Sequence, residues 1–581
     1  MKRFALVLFI YCSISAFSQN LIDNSWLFSI GDSMAWKEIN HDTRHWKTIK
    51  SGIIWEVQGY AGYDGFAWYR KKVVIPTILK EEIKKKGYIT LNLGTIDDAD
   101  EVYFNGKLLG KTGSLPPNYD GAYDKIRKWN IRWEDIRWDK DNLIAVRVYD
   151  AGGGGGITGA NVSLMIEGKG PDFNMSVKFS SSDRVFRNDS NLNFSVNYKN
   201  QSTKLMKGKS DFYILKDTRD TVRKWSKMVT IPQSKEIIQQ FANPKLEPGF
   251  YSLHIEFKSL TNNLNQSYYF GIEPEKISSP TDRPANFDNY WVRAKKELAA
   301  VDPQYKLIKQ DSLCTDKRDV YLVEMRSLEN VLIRGWYARP KAEGKYPAIL
   351  HLQGYSTNQE MSWGYNGSDM AVFVLNIRGH GNSKDNINLG FPGFLQYNIK
   401  DREKYIYRGA YMDCSRALDF LFSRAEVDTQ YVVVKGGSQG GALSFATAAL
   451  NNERVSLCIP SVPFLSDFRD YFRIATWPVN EFETYIKSNP DFSMEGVYQT
   501  LRYFDIKNLA PWVKCPVLMS VGLMDATCPP HINFAAYNQL NVPKSYKVYP
   551  EAGHALPSEA GKAEDAWMKK QLNDLRQKVA K

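Results

Sequence analysis

Residues 436–441 read Gly-Gly-Ser-Gln-Gly-Gly and hold the pattern G-x-S-x-G around Ser438. Such a pattern can lift a serine hydroxyl clear of a sheet on a tight strand-to-helix turn, although alone it also describes an ordinary glycine-rich loop. A serine hydroxyl is a poor nucleophile near neutral pH unless a base takes its proton and a carboxylate orients that base. Two later residues suit those roles. Asp525 follows the apolar run Val517 to Val521, and His554 follows the run Ser545 to Tyr549 in Ala552-Gly553-His554. Each is expected at the C-terminal end of a strand, where ligand sites of open parallel sheets form. The chemistry would be acyl transfer through a covalent intermediate. Of the competitors, His531 sits close to the acid behind Pro529-Pro530 and reads as a loop residue, and Glu551 reads as a surface-loop carboxylate. The tetrahedral oxyanion needs backbone N–H donors. Gln439, which opens the helix after Ser438, is one; Tyr355, after Gln353-Gly354 and the run Ala348 to Leu352, is the other.

These residues need a scaffold that places them together. The apolar stretch Tyr431 to Val434 precedes Ser438 and the Ala-rich stretch Ala442 to Leu450 follows it, so strand, turn and helix occur in the required order. Ala348 to Leu352, Ala371 to Ile377 and Val517 to Val521 are almost wholly apolar, as strands covered on both faces must be. Tyr411, Cys414, Leu418 and Leu421 recur at helical spacing between two of them. Residues 284–581 therefore form an α/β domain with a parallel sheet, and the order Ser, Asp, His is that of α/β-hydrolases.

At 581 residues the chain is too long for one core and should hold three or four domains. Eight of its 15 tryptophans precede residue 150, which marks a first domain, 19–168. Alternating runs such as Tyr88 to Leu93 and Leu143 to Tyr149, with the hairpin signal Asn105-Gly106, predict a β-sandwich there. The five glycines Gly152 to Gly156 are expected to close it as a flexible joint or a ligand-facing loop. Residues 171–277 show period-two patterns, Leu192, Phe194, Val196 and Tyr198, then Tyr251, Leu253, Ile255 and Phe257, which predict a small Ig-like sandwich. A linker, Ser278 to Pro284, leads into the α/β domain.

Lys2 and Arg3, the apolar run Phe4 to Cys12 and the small residues around Ala16-Phe17-Ser18 read as a cleaved export signal, residues 1–18, too short to span a bilayer. With no later membrane span, the expected location is periplasmic or extracellular. Net charge is +12, but the basic residues are dispersed, which argues against a nucleic-acid partner. Beyond the leader, Cys314, Cys414, Cys458, Cys515 and Cys528 show neither a disulfide framework nor zinc spacing, so no metal or cofactor is expected.

From Pro284 onward the chain resembles the acetyl xylan esterases and cephalosporin C deacetylases of carbohydrate esterase family seven. The resemblance rests on Phe287-Asp288-Asn289-Tyr290-Trp291, Gly354-Tyr355, Arg378-Gly379-His380-Gly381, Tyr407-Arg408, Gly437-Ser438-Gln439-Gly440-Gly441, Asp525 and Ala535-Ala536-Tyr537-Asn538. Family members usually carry Gln where this chain has His380, His where it has Gln353, and Glu where Ala555 follows His554. The resemblance implies removal of acetyl groups from acetylated polysaccharides or oligosaccharides, with Ser438, Asp525 and His554 as the triad. It also implies a homo-oligomer. Residues 20–165 resemble the galactose-binding-like jelly roll of glycoside hydrolase family two and of sialate O-acetylesterases, through Gly65 to Arg70, Asp97 to Phe104 and Asn142 to Asp150. Two other classes share parts of this pattern: a serine peptidase of the prolyl oligopeptidase type, and a non-catalytic carbohydrate-binding protein.

Overall fold

The computed structural model describes residues 20–60, 62–159, 162–166, 173–187, 192–242, 246–259, 263–360, 369–475 and 477–579. The expected export signal lies outside them. Packing divides the chain into two units, residues 1–174 with 200–203 and residues 175–199 with 204–581.

The first unit is built from two sheets. One runs Lys47–Lys50, Ser25–Ile30, Gly65–Val74, Asp141–Asp150, Ala99–Phe104, Lys107–Thr112; the other runs Ser163–Met165, Tyr88–Asp97, Ile126–Arg132. Trp26, Trp55, Tyr69, Leu91 and Val146 are buried in one cluster between them. Trp68 and Tyr103 stack at 5.8 Å on the far side, with Trp36 and Trp46 packed against that smaller cluster. The tryptophan excess is thus largely packing. Asn105 and Gly106 take φ of 50° and 82°, the left-handed pair that a two-residue hairpin requires.

The glycine run departs from expectation. It neither ends the fold nor forms a loose joint: Gly156–Ile157 pairs with the end of Tyr88–Asp97, and Ser163–Met165 continues the same sheet. A Cβ on Gly155 would lie 2.2 Å from the Trp55 ring, and one on Gly156 would lie 2.3 Å from the Tyr69 hydroxyl. Glycine is needed there for close approach to aromatic core.

In the second unit a three-stranded and a five-stranded sheet precede the α/β region. The alternation in Asn193–Asn200 and Gly249–Ser259 buries Phe194, Val196, Tyr198, Leu253, Ile255 and Phe257 as expected. The segment after them is pinned rather than free, since Ser279 Oγ bonds Asp467 and Arg283 Nε bonds the Asn508 carbonyl. The nine-stranded sheet then runs Lys306–Lys309, Arg318–Arg326, Leu332–Pro340, Ala371–Asn376, Tyr346–Leu352, Val427–Gly437, Leu457–Ser461, Val517–Gly522, Lys544–Tyr549. From Ala371–Asn376 onward every neighbouring pair is parallel. Helices Ile406–Phe422 and Gln439–Leu450 are almost entirely buried against it. Among the described residues no helix is long and apolar enough to cross a membrane.

Candidate active site

Ser438 joins the strand Val427–Gly437 to the helix Gln439–Leu450 with φ 56° and ψ −121°, a strained backbone for a residue with a Cβ. Its N–H donates to the Ser461 carbonyl at 2.9 Å, and its own carbonyl accepts from Ala442 and Phe464, both at 3.1 Å. The flanking glycines have a steric cause. A Cβ on Gly436 or on Gly440 would lie 2.5 or 2.1 Å from the Leu352 carbonyl oxygen, so neither position tolerates a side chain.

Asp525 stands in the turn after Val517–Gly522 with its side chain fully buried. Oδ1 accepts from the Thr527 and Cys528 N–H groups at 2.9 and 2.8 Å, and Oδ2 lies 2.8 Å from Nδ1 of His554, whose side chain is 33 % exposed. The acid is therefore fixed by two backbone donors and spends its other oxygen on the imidazole. Burial pushes the Cys528 thiol well up, while a hydrogen bond with the Ser438 side chain acts the other way. The acid's turn is thus in contact with the elbow. Among the described residues all five cysteines are free.

Gln439 and Tyr355 lie on two segments that the Gln439 side chain joins. Its Nε2 donates to the Gly354 carbonyl at 3.3 Å and lies 3.3 Å from His380 Nε2, while Oε1 accepts from the Tyr407 hydroxyl at 2.7 Å. Burial drives His380 down to about 3, so its neutral ring can accept there. As the first helical residue, Gln439 has a backbone N–H with no acceptor inside the helix. Gln353 braces the same segment: its Oε1 accepts from the Ile377 N–H at 2.9 Å and its Nε2 donates to the Thr357 carbonyl at 3.0 Å. Arg378 is held by a forked pair with Asp413 at 2.9 and 2.8 Å, in space that Gly409 leaves by lacking a side chain.

Two buried features involving carboxylates escaped the sequence. His531 is not a loop residue: it is the second residue of the helix Pro530–Tyr537 and is buried. Proline at the first helical position was the available signal. Burial opposes its charge, yet the hydrogen bond to Asp217 and the Asp470 carboxylate 3.4 Å away lift it to about 9. Asp217 belongs to the five-stranded sheet region, so that region reaches the helix that follows Asp525. Arg184 of the same region pairs with Glu551, which is 73 % exposed as expected. Asp467, Asp470 and His531 are close enough to surround a cation, but Lys507 and Arg473 already pair with the two aspartates. The second missed residue, Glu481, contacts Tyr355.

The parallel sheet, the strained elbow and the acid–imidazole pair at neighbouring strand ends define an α/β-hydrolase. A sequence profile of the acetyl xylan esterase (AXE1) family matches residues 274–571, and the chain belongs to that family. It is a carboxylic ester hydrolase. The acetyl esterase Axe7A of Xylanibacter ruminicola is 29% identical over 356 residues, 59% of this chain and 79% of that protein. Among solved structures, the acetyl xylan esterase from Paenibacillus sp. R4 is 32% identical, covering 51% of this chain and 98% of its own, with a TM-score of 0.49. Acetyl xylan esterase 1 from Thermoanaerobacterium sp. is 32% identical over 52% of this chain and 98% of its own, with a TM-score of 0.49.

Proposed function

We propose that this protein is an exported serine esterase that removes O-acetyl groups from xylan-type polysaccharides or acetylated oligosaccharides. The observation that carries this reading is the 2.8 Å contact between Asp525 and His554 in a chain whose Ser438 occupies the elbow. With Nδ1–H donating to Asp525, the other imidazole nitrogen is free to take the Ser438 proton as Oγ attacks the acetyl carbonyl. The carbonyl oxygen becomes an oxyanion that the Tyr355 and Gln439 N–H groups receive. Collapse expels the sugar oxygen, which takes the proton back from His554 and leaves acetyl-Ser438. Water, deprotonated by His554, then releases acetate and restores the serine. The names of the relatives, acetyl esterase and acetyl xylan esterase, support the acyl group and the glycan class.

Ahead of this domain, 284–581, we place a galactose-binding-like jelly roll, 19–168, and an Ig-like sandwich, 171–277; removal of residues 1–18 would deliver the protein to the periplasm or the medium. The test compares wild type with Ser438→Ala on p-nitrophenyl acetate and acetylated xylan, following acetate. A fall in kcat of about 10⁴-fold or more is expected. Unchanged turnover would remove Ser438 from the mechanism; aryl-ester cleavage with no acetate from any glycan would remove the substrate class.

A further inference from the structure

Glu481 is a carboxylate that the proposed mechanism leaves unused. It lies on the helix Val479–Lys487, in the excursion between the strands Leu457–Ser461 and Val517–Gly522, and is only 5 % exposed. Both of its oxygens face one hydroxyl: the Tyr355 phenol donates to Oε1 and Oε2, each at 2.9 Å. Its remaining contact is the Gly393 N–H at 3.4 Å. Burial pushes Glu481 up to about 7, against the pull of those two donors. Burying a carboxylate on a hydroxyl and one backbone donor costs stability, so a chain selected for stability alone would place an apolar residue here.

Tyr355 repays that cost at its other end. The ring is boxed by Phe391 at 4.7 Å, Trp477 at 5.7 Å and Phe394 at 6.2 Å, all at steep angles. Those contacts limit sideways movement of the ring, and the hydroxyl bond fixes its position along its long axis. With the Gly354 carbonyl tied to Gln439, both ends of the residue are then defined. An oxyanion donor loses much of its value when displaced by a fraction of an ångström.

We infer that Glu481 is a positioning residue of the esterase: through the Tyr355 hydroxyl it sets where the Tyr355 N–H meets the oxyanion. This rests on the ester-hydrolase reading above. Its effect belongs to the transition state, so it should appear in kcat and spare KM.

The test uses the full chain and p-nitrophenyl acetate. Glu481→Leu is expected to lower kcat by about 30- to 100-fold with KM within about twofold, less than the roughly 10²- to 10³-fold cost of removing an oxyanion donor outright. Glu481→Gln keeps an acceptor for the phenol and should stay within about fivefold of wild type. Tyr355→Phe should match Glu481→Leu, and the double variant should lose no more than either single, because both remove the same bond. A phenylboronic acid, whose serine adduct is a tetrahedral anion, should bind Glu481→Leu more weakly by the same factor as kcat. If Glu481→Leu misfolds, Tyr355→Phe with the boronic acid carries the test alone. Additive losses, a loss confined to KM, or unchanged boronic acid affinity would overturn the inference. If Ser438→Ala retained activity, the ester-hydrolase mechanism itself would fail, whatever Glu481 does.

Discussion

Around the glycine turn of the first unit, the buried Asp150 and the half-buried Glu56 and Asp97 lie within reach of one another's charge. Burial lifts them to about 8, 9 and 7, and the neighbouring charges that act on them are further carboxylates. Asp150 Oδ2 has no hydrogen-bond partner among the described residues. The second unit treats the same side chains differently. Asp413 is forked onto Arg378, Asp467 meets Lys507 at 2.9 Å, and Asp525 meets His554. These three acids are tolerated in the neutral form, although Asp100 of the same unit is paired with Arg127, whereas Asp413, Asp467 and Asp525 are matched to nitrogen partners. The contrast separates acids buried without a cation from acids set against nitrogen partners, and Glu481, pushed to about 7, lies between the two conditions.

The largest expected effect comes from taking the acid away from its imidazole. Asp525→Asn leaves the shape but reverses the hydrogen bond to Nδ1, and kcat on p-nitrophenyl acetate should fall about 10⁴-fold with a preserved melting curve. Arg378→Leu should leave Asp413 buried without its cation and destabilise the second unit by about 3–5 kcal/mol, read by urea denaturation. Were Arg378→Leu neutral, the matched pairs would be ornament and the contrast would collapse.

Smaller effects follow from pH. His531 is raised from about 6.5 to about 9, so its contribution is full below pH 6.5 and is lost as pH rises through 9. Asp470 is lowered to about 2, so its share is present above about pH 4 and lost as pH falls through 2. Replacing His531 by Asn should flatten the alkaline fall in melting temperature of the second unit. Acids raised as in the first unit cost nothing below about pH 4, and the cost grows until pH passes their folded values of about 7 to 9. Asp97→Asn should therefore raise the first unit's melting temperature by about 3 °C at pH 9 and hardly at all at pH 5. Equal shifts at both pH values would indicate a packing effect instead.

The turn that holds Ser438, the strand ends that carry Asp525 and His554, and the strands themselves were legible because each announces itself locally. Buried parallel strands are continuous apolar runs, and the residues that follow them stand at the sheet's C-terminal edge. What escaped depends on contacts between segments far apart in sequence. Glu481 and Tyr355 are 126 positions apart, and His531 and Asp217 are 314 apart, with nothing in either neighbourhood to mark a partner. The glycine run misled for the same reason. Five glycines permit flexibility, but at Gly155 and Gly156 the indole of Trp55 and the phenol of Tyr69 occupy the space that side chains would have filled.

The most direct measurement of the central claim is covalent. Treating the protein with p-nitrophenyl diethyl phosphate and mapping the adduct by peptide mass spectrometry should find one diethylphosphoryl group on Ser438, in proportion to the esterase activity lost. An adduct on another residue that abolishes hydrolysis, or complete labelling of Ser438 with hydrolysis intact, would contradict the account.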